Sequence, residues 1–169
     1  MTGDRGAPGG GDRRSLDVRM DKINFTLCTP DIAHEHCVQM GAKPYLALPH
    51  ARHGLIGTRG NDRVVAAMVI DHLDLAPGPA FVVARMRVCP HLRLTHAHRT
   101  RVQMLAAVPR MLAAELGENV RVSMRVASDI YRNAPLEAGW RERPTCFTGY
   151  GNVAGGTASR VAAMWNEAV

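Results

Sequence analysis

RMRVCPHLRLTHAHRTRVQMLAAVPRMLAAELG, residues 85–117, decides how this chain is read. It opens on an apolar strand that ends at Val88-Cys89-Pro90, turns through an Arg- and His-rich stretch, and continues as an amphipathic helix. Val102, Leu105, Val108, Leu112 and Leu116 recur at helical period, so the spacing predicts a helix from Thr100 to Leu116. Pro109 lies inside it. Proline removes one helical amide and crowds the preceding turn, which predicts a bend or break near Ala106. A strand that stops at a proline and hands over to a helix N-terminus makes an anion site. The first helical amides are unpaired, the helix dipole is positive there and nearby Arg side chains add charge, so a phosphate or pyrophosphate is favoured.

Outward from this segment the chain alternates strands and helices. In Lys22–Thr29, Ile23, Phe25 and Leu27 share one face at the period of a half-buried strand. Thr29-Pro30-Asp31 then caps, starts and complements the dipole of a helix that stops at Gly41. Residues 42–53 read as irregular. Gly54–Arg59 and Arg63–Leu73 flank Gly60-Asn61-Asp62 as the arms of a hairpin, the second arm apolar on both faces and therefore central. Pro77–Pro79 turns into a strand over Ala80–Cys89. After the long helix, Val120–Val126 reads as a strand, Asp129–Ala138 as a short helix, Cys146–Gly151 as a strand and residues 159–169 as a terminal helix.

With 169 residues and 46% apolar composition, the chain is long enough for one domain that buries about two-thirds of its unfolded surface. Residues 1–19 are rich in Gly, Arg and Asp and nearly devoid of large apolar side chains, so they are expected to be a disordered extension, with the folded domain over residues 20–169. Neither a run of roughly 20 apolar residues nor an apolar signal segment is present, which predicts a cytoplasmic protein without membrane contact. Cys28, Cys37, Cys89 and Cys146 lack C-x-x-C spacing and are expected as reduced thiols. The net charge is +6, and all but two of the 21 Lys and Arg residues are Arg, a surface that attracts phosphates.

The segment at 85–117 resembles the acyl-CoA-binding part of the GCN5-related N-acetyltransferases, where a strand ending V-x-P runs into [Q/R]-x-x-G-x-[G/A] and a helix. Val88 and Pro90 match the strand end and Arg93 the Q/R position, whereas His96 and His98 stand at the two small positions. The resemblance covers about residues 22–150. It includes the T-P-D helix opening, the turn before RVVAAMVI where the family has dG-x-x-vG, and Gly139-Trp140 where the family has Gly-Phe after Y-x-x-x. It implies a single-domain α/β (α+β) acyl-CoA N-acyltransferase-like fold, with a mixed, mostly antiparallel sheet of about six strands splayed between the fourth and fifth. It also implies an acyltransferase that uses acetyl-CoA as donor and a small-molecule or macromolecular amine as acceptor.

By the same resemblance, Arg93, His96, Ala97, His98, Arg99 and Thr100 would surround the donor's phosphates, and the backbone of Met86 and Val88 would meet its pantetheine arm. The family's thiolate-protonating tyrosine falls on Pro135, which has no proton to give; Tyr131, one turn earlier, is the nearest substitute. Asp71 is the candidate base for the amine, with Asp74 and the loop histidines as alternatives.

Two competing readings come from the residues themselves. Cys89-x-His91, His96-x-His98 and His34-Glu35-His36-Cys37 supply nitrogen and sulfur ligands of the kind Zn(II) or Fe(II) prefers. Their spacing matches no established metal motif, and no resident metal is expected. Arg85, Arg87, Arg93, Arg99 and Arg101, extended by Arg121, Arg125, Arg132, Arg141 and Arg143, make a nucleic acid a possible partner. Asp129-Ile-Tyr-Arg132 before Gly139-Trp140 resembles phage-type relatives of the same fold that modify DNA bases. Against a dedicated single-strand binder stands the aromatic content of only 5%, which leaves few stacking platforms.

Overall fold

Local chemistry sets each element of the computed structural model, which describes residues 22–44, 51–60, 62–73, 78–125 and 132–153. In order they are β1 (Ile23–Cys28), α1 (Pro30–Gln39), β2 (Ala51–Arg59), β3 (Arg63–His72), β4 (Ala80–Val88), α2 (Leu94–Leu116), β5 (Val120–Met124), α3 (Asn133–Glu137), β6 (Arg141–Glu142) and β7 (Phe147–Gly151). The Thr29 hydroxyl accepts the Ile32 amide at 3.4 Å, Pro30 is the first helical residue and Gly41 has φ +100°, so α1 begins and ends where its sequence says. Gly60 and Asp62 both adopt positive φ in the β2–β3 turn.

The strands form one sheet in the order β1-β2-β3-β4-β5-β7-β6, antiparallel except for the β4–β5 pair. Among the described residues there are seven strands where about six were expected, the addition being the two-residue β6. Helix α1 packs Ala33 and Cys37 on Ala67 and Val69 of β3, covering one face. Helix α2 covers the other with Met104, Leu105, Val108 and Leu112 against Leu55, Met68, Ile70, Phe81, Val120 and Val122. The result is a helix–sheet–helix sandwich around β3 and β4.

Several boundaries differ from the sequence reading. Strand β2 begins at Ala51, inside the stretch read as irregular, because Ala51 and His53 find partners in Asp71 and Ile70. Helix α2 starts at Leu94, six residues early. Ala97 and Thr100 are buried beneath it, and the Thr100 hydroxyl donates to the His96 carbonyl at 2.7 Å, so core packing and a side-chain bond extend the helix toward the strand. The described part of the short late helix is Asn133–Glu137. Residues 1–19, Asp74, Asp129–Tyr131 and the terminal segment 159–169 lie outside the described residues.

Pro109 does not break α2. It leaves the Leu105 carbonyl without its usual amide donor four residues on, and the buried indole N–H of Trp140 donates to that oxygen at 2.8 Å. Strand β7 is shaped to admit this contact. A Cβ on Gly149 would sit 2.5 Å from the Trp140 ring, and one on Gly151 would sit 1.9 Å from the Pro109 carbonyl oxygen. Glycine at both positions lets the helix and the indole lie directly on the strand.

Candidate functional site

The parallel ladder between β4 and β5 is short. It joins Ala80, Phe81 and Val82 to Arg121, Val122 and Ser123 and then ends. Just beyond it, β4 carries a bulge in which Val83 and Arg85 oppose successive residues of β3 and Ala84 is the extra one. Among the described residues, the strand from there to Val88 pairs only with β3, leaving an edge of about 20 Å, counted from Val82 at the usual rise per residue, without a second strand.

The polarity of that edge follows from one hydrogen bond. The Cys89 amide donates to the Val65 carbonyl at 2.7 Å, and Val88 lies directly opposite Ala66. Val88 is therefore in a non-hydrogen-bonded pair, and its N–H and C=O point away from β3. Two residues earlier, Met86 opposite Met68 has the same orientation. The two residues thus present amides and carbonyls to the gap beside β5.

At the far end of this edge the chain turns into α2. Leu92 closes the turn with a 3.2 Å bond from its amide to the Cys89 carbonyl. The cap residue is Arg93, in extended backbone and with no side-chain cap bond, and no acidic residue occupies the first turn. Ala97 makes the first intrahelical bond, to the Arg93 carbonyl at 2.8 Å. The amides of Leu94 and Thr95 precede it and have no carbonyl partner within the helix. A helix start without a side-chain cap bond, with an arginine at the cap position and no acidic residue in its first turn, favours an anion.

An open cleft of about 450 Å³ lies between this helix start and α3, lined by Leu94, Thr95, His98, Arg99, Val102 and Glu137. Across it His98 Nε2 and Glu137 Oε2 are 2.9 Å apart. Leu94 is 87% exposed, an apolar side chain left in solvent at the cleft mouth. Arg93 is exposed beside it.

The structure distributes the sequence candidates unevenly. Arg93, His98 and Arg99 are brought to the helix start or the cleft, and His96 lies in the first turn of α2 but does not line the cleft. Ala97 and Thr100 are turned into the core, with the Ala97 amide and the Thr100 hydroxyl both spent inside α2. Asp71 is half-buried on β3 opposite Val82, at the level where the β4–β5 ladder ends. By strand alternation it shares a face with Ala67 and Val69, the α1 side. It therefore stands at the opposite end of the free edge from Arg93. Tyr131 lies outside the described residues, while Pro135 is buried in α3. Among the described residues no group of three or more His, Cys, Asp and Glu side chains could hold a metal, so the His/Cys clusters do not assemble there into a site.

Sequence reasoning missed Glu137, Leu94, Thr95 and Val102. For the last three the signal was the helix start itself, which, placed at Leu94, would have put Thr95 and Val102 two turns apart on one face of the helix. Also missed was His53, whose ring meets the edge of Phe81 at 5.5 Å beside His72. Burial pushes the His53 pKa below its ordinary value, the nearby Glu115 opposes that shift and His72 adds to it. On the α1 side, burial raises the Cys37 thiol to about 11 despite the nearby Arg85 and Arg87.

The bulged fourth strand, the gap beside the fifth and the sheet order give an acyl-CoA N-acyltransferase-like α/β fold, the fold of the GCN5-related N-acetyltransferases. Among solved structures it is similar to AtaTR bound with AcCoA, at 12% identity over 86% of this chain and 99% of that one, with a TM-score of 0.51. It is similar also to the KacTA–DNA complex, at 9% identity over 85% of this chain and 99% of that one, with a TM-score of 0.52. At these identities the likeness is one of fold. No protein-family model matches the sequence, and no curated protein matches it.

Proposed function

We propose that this protein is an N-acyltransferase that moves an acyl group from acetyl-CoA to an amine. The observation that carries the reading is the unpaired edge of β4 running directly into the uncapped start of α2. The edge offers backbone groups of Met86 and Val88 to the two amides of a pantetheine arm, and the helix start offers the amides of Leu94 and Thr95, with Arg93, to a pyrophosphate. The similar AtaTR structure holds AcCoA, which supports the same donor here.

A donor laid this way places its thioester near the bulge at Ala84, with Asp71 at the same end of the sheet. The amine nitrogen attacks the thioester carbonyl, a C–N bond forms, the C–S bond breaks, and the amine's proton leaves to Asp71 directly or through water. Tyr131 is the proposed donor of a proton to the departing thiolate. The acceptor class extends from small amines to amines carried on nucleic acid, a breadth supported by the chain's arginine-rich surface and by the DNA in the similar KacTA structure.

Acetyl-CoA at sub-millimolar concentration is expected to raise the melting temperature, and Arg93→Ala to abolish the shift. Absence of any shift with acetyl-CoA and longer acyl-CoAs would sink the reading. Release of free thiol in the presence of candidate amines then identifies the acceptor.

A further inference from the structure

His98 occupies a position where the resembled motif has a small residue, and the structure gives its side chain a definite partner. Its Nε2 lies 2.9 Å from Glu137 Oε2, joining α2 to α3 across the cleft. Both residues line the cleft, and Glu137 is the one acid among the lining residues. Helix α3 is only five residues long and is anchored by buried Ala134 and Pro135, while Glu137 at its last position is 56% exposed and can swing without disturbing the core. Arg132 at the other end of α3 is engaged with Glu142 of β6, so it holds α3 in place from the far side.

We infer that the His98–Glu137 pair is a latch across the nucleotide end of the donor cleft, in which Glu137 competes with a donor phosphate for the His98 N–H. The inference rests on the donor reading above. An imidazole Nε2–H can serve one strong acceptor at a time, and a carboxylate and a phosphate oxygen are both such acceptors. A phosphate arriving at the start of α2 also meets the Glu137 carboxylate as a like charge in the same cleft. Binding therefore exchanges one acceptor for the other, with Glu137 turning to solvent. The pair makes His98 a specificity-determining residue for the phosphorylated end of the donor, and Glu137 a built-in brake on its affinity.

The test is calorimetric titration of the full chain and its Glu137→Gln, Glu137→Ala and His98→Ala variants with acetyl-CoA, 3′,5′-ADP and S-acetylpantetheine. Removing the carboxylate is expected to tighten acetyl-CoA and 3′,5′-ADP by about 2- to 5-fold, the range of a solvent-exposed charge interaction, and to leave acetylpantetheine unchanged. His98→Ala is expected to weaken the two phosphorylated probes by about fivefold or more. Phosphorylated probes that bind Glu137→Gln and Glu137→Ala no more tightly than wild type overturn the latch, and weaker binding would make Glu137 a prop for His98 instead. Wild-type protein that binds none of the three probes removes the donor reading and the latch with it.

Discussion

Trp140→Phe tests how a proline is carried in the middle of α2. The indole N–H of Trp140 is the donor that the Leu105 carbonyl receives in place of the amide missing at Pro109, and the ring is 4% exposed. Phenylalanine removes that donor and leaves a buried carbonyl unpaired, which costs about 1–3 kcal/mol. The smaller ring also leaves a void above Gly149, which adds about 1 kcal/mol at the usual cost per unit of cavity volume. The expected loss is about 2–4 kcal/mol, read as a lower midpoint in urea unfolding followed by far-UV circular dichroism. The decisive comparison is the same substitution in a Pro109→Ala background. Alanine restores an amide four residues after Leu105, so the carbonyl stays paired and Trp140→Phe should there cost only the cavity share, about 1 kcal/mol. Equal costs in the two backgrounds would refute the account, since the indole would then contribute packing alone.

Two further outcomes follow from burial. His53 has a pKa held below its unfolded value of 6.5, so the unfolded chain binds the extra proton first; stability is full above that pH and falls as pH drops through and below it. His53→Phe should flatten this acid-side slope in urea midpoints measured from pH 7.5 to 5, and an unchanged slope would place its origin elsewhere. Cys37, with its thiol raised to about 11, should resist iodoacetamide at pH 8 in the native protein and react once unfolded. Rapid native labelling at Cys37, located by peptide mass, would contradict its burial.

Much of the scaffold was legible because its determinants are neighbours in sequence. The Thr29 cap, Pro30, the Gly60–Asp62 turn and the end of β4 before Pro90 each depend on a few adjacent residues, and each stands where the pattern put it. Within the candidate site, Arg93, Met86 and Val88 were expected only through the resemblance of residues 85–117 to the acyl-CoA-binding segment, whose motif is itself a run of nearby residues. Glu137 could not be linked to His98, nor His53 to Phe81 and His72, because those contacts join elements distant in sequence. The start of α2 was misplaced because nothing between Leu94 and Thr100 forbids turn or helix, and the burial of Ala97 and Thr100 settles the choice.

By itself, the sequence determined the alternation of strands and helices and the strand, basic turn and helix of residues 85–117, since propensity, capping and charge act over a few residues. The tertiary structure alone decided that α2 passes through Pro109 unbroken, that β4 parts from β5 after Val82, and that His98 faces a carboxylate instead of open solvent. The physical reason is common to all three. A backbone or side-chain polar group is satisfied by whatever packing brings within about 3 Å, and local sequence does not specify that neighbour.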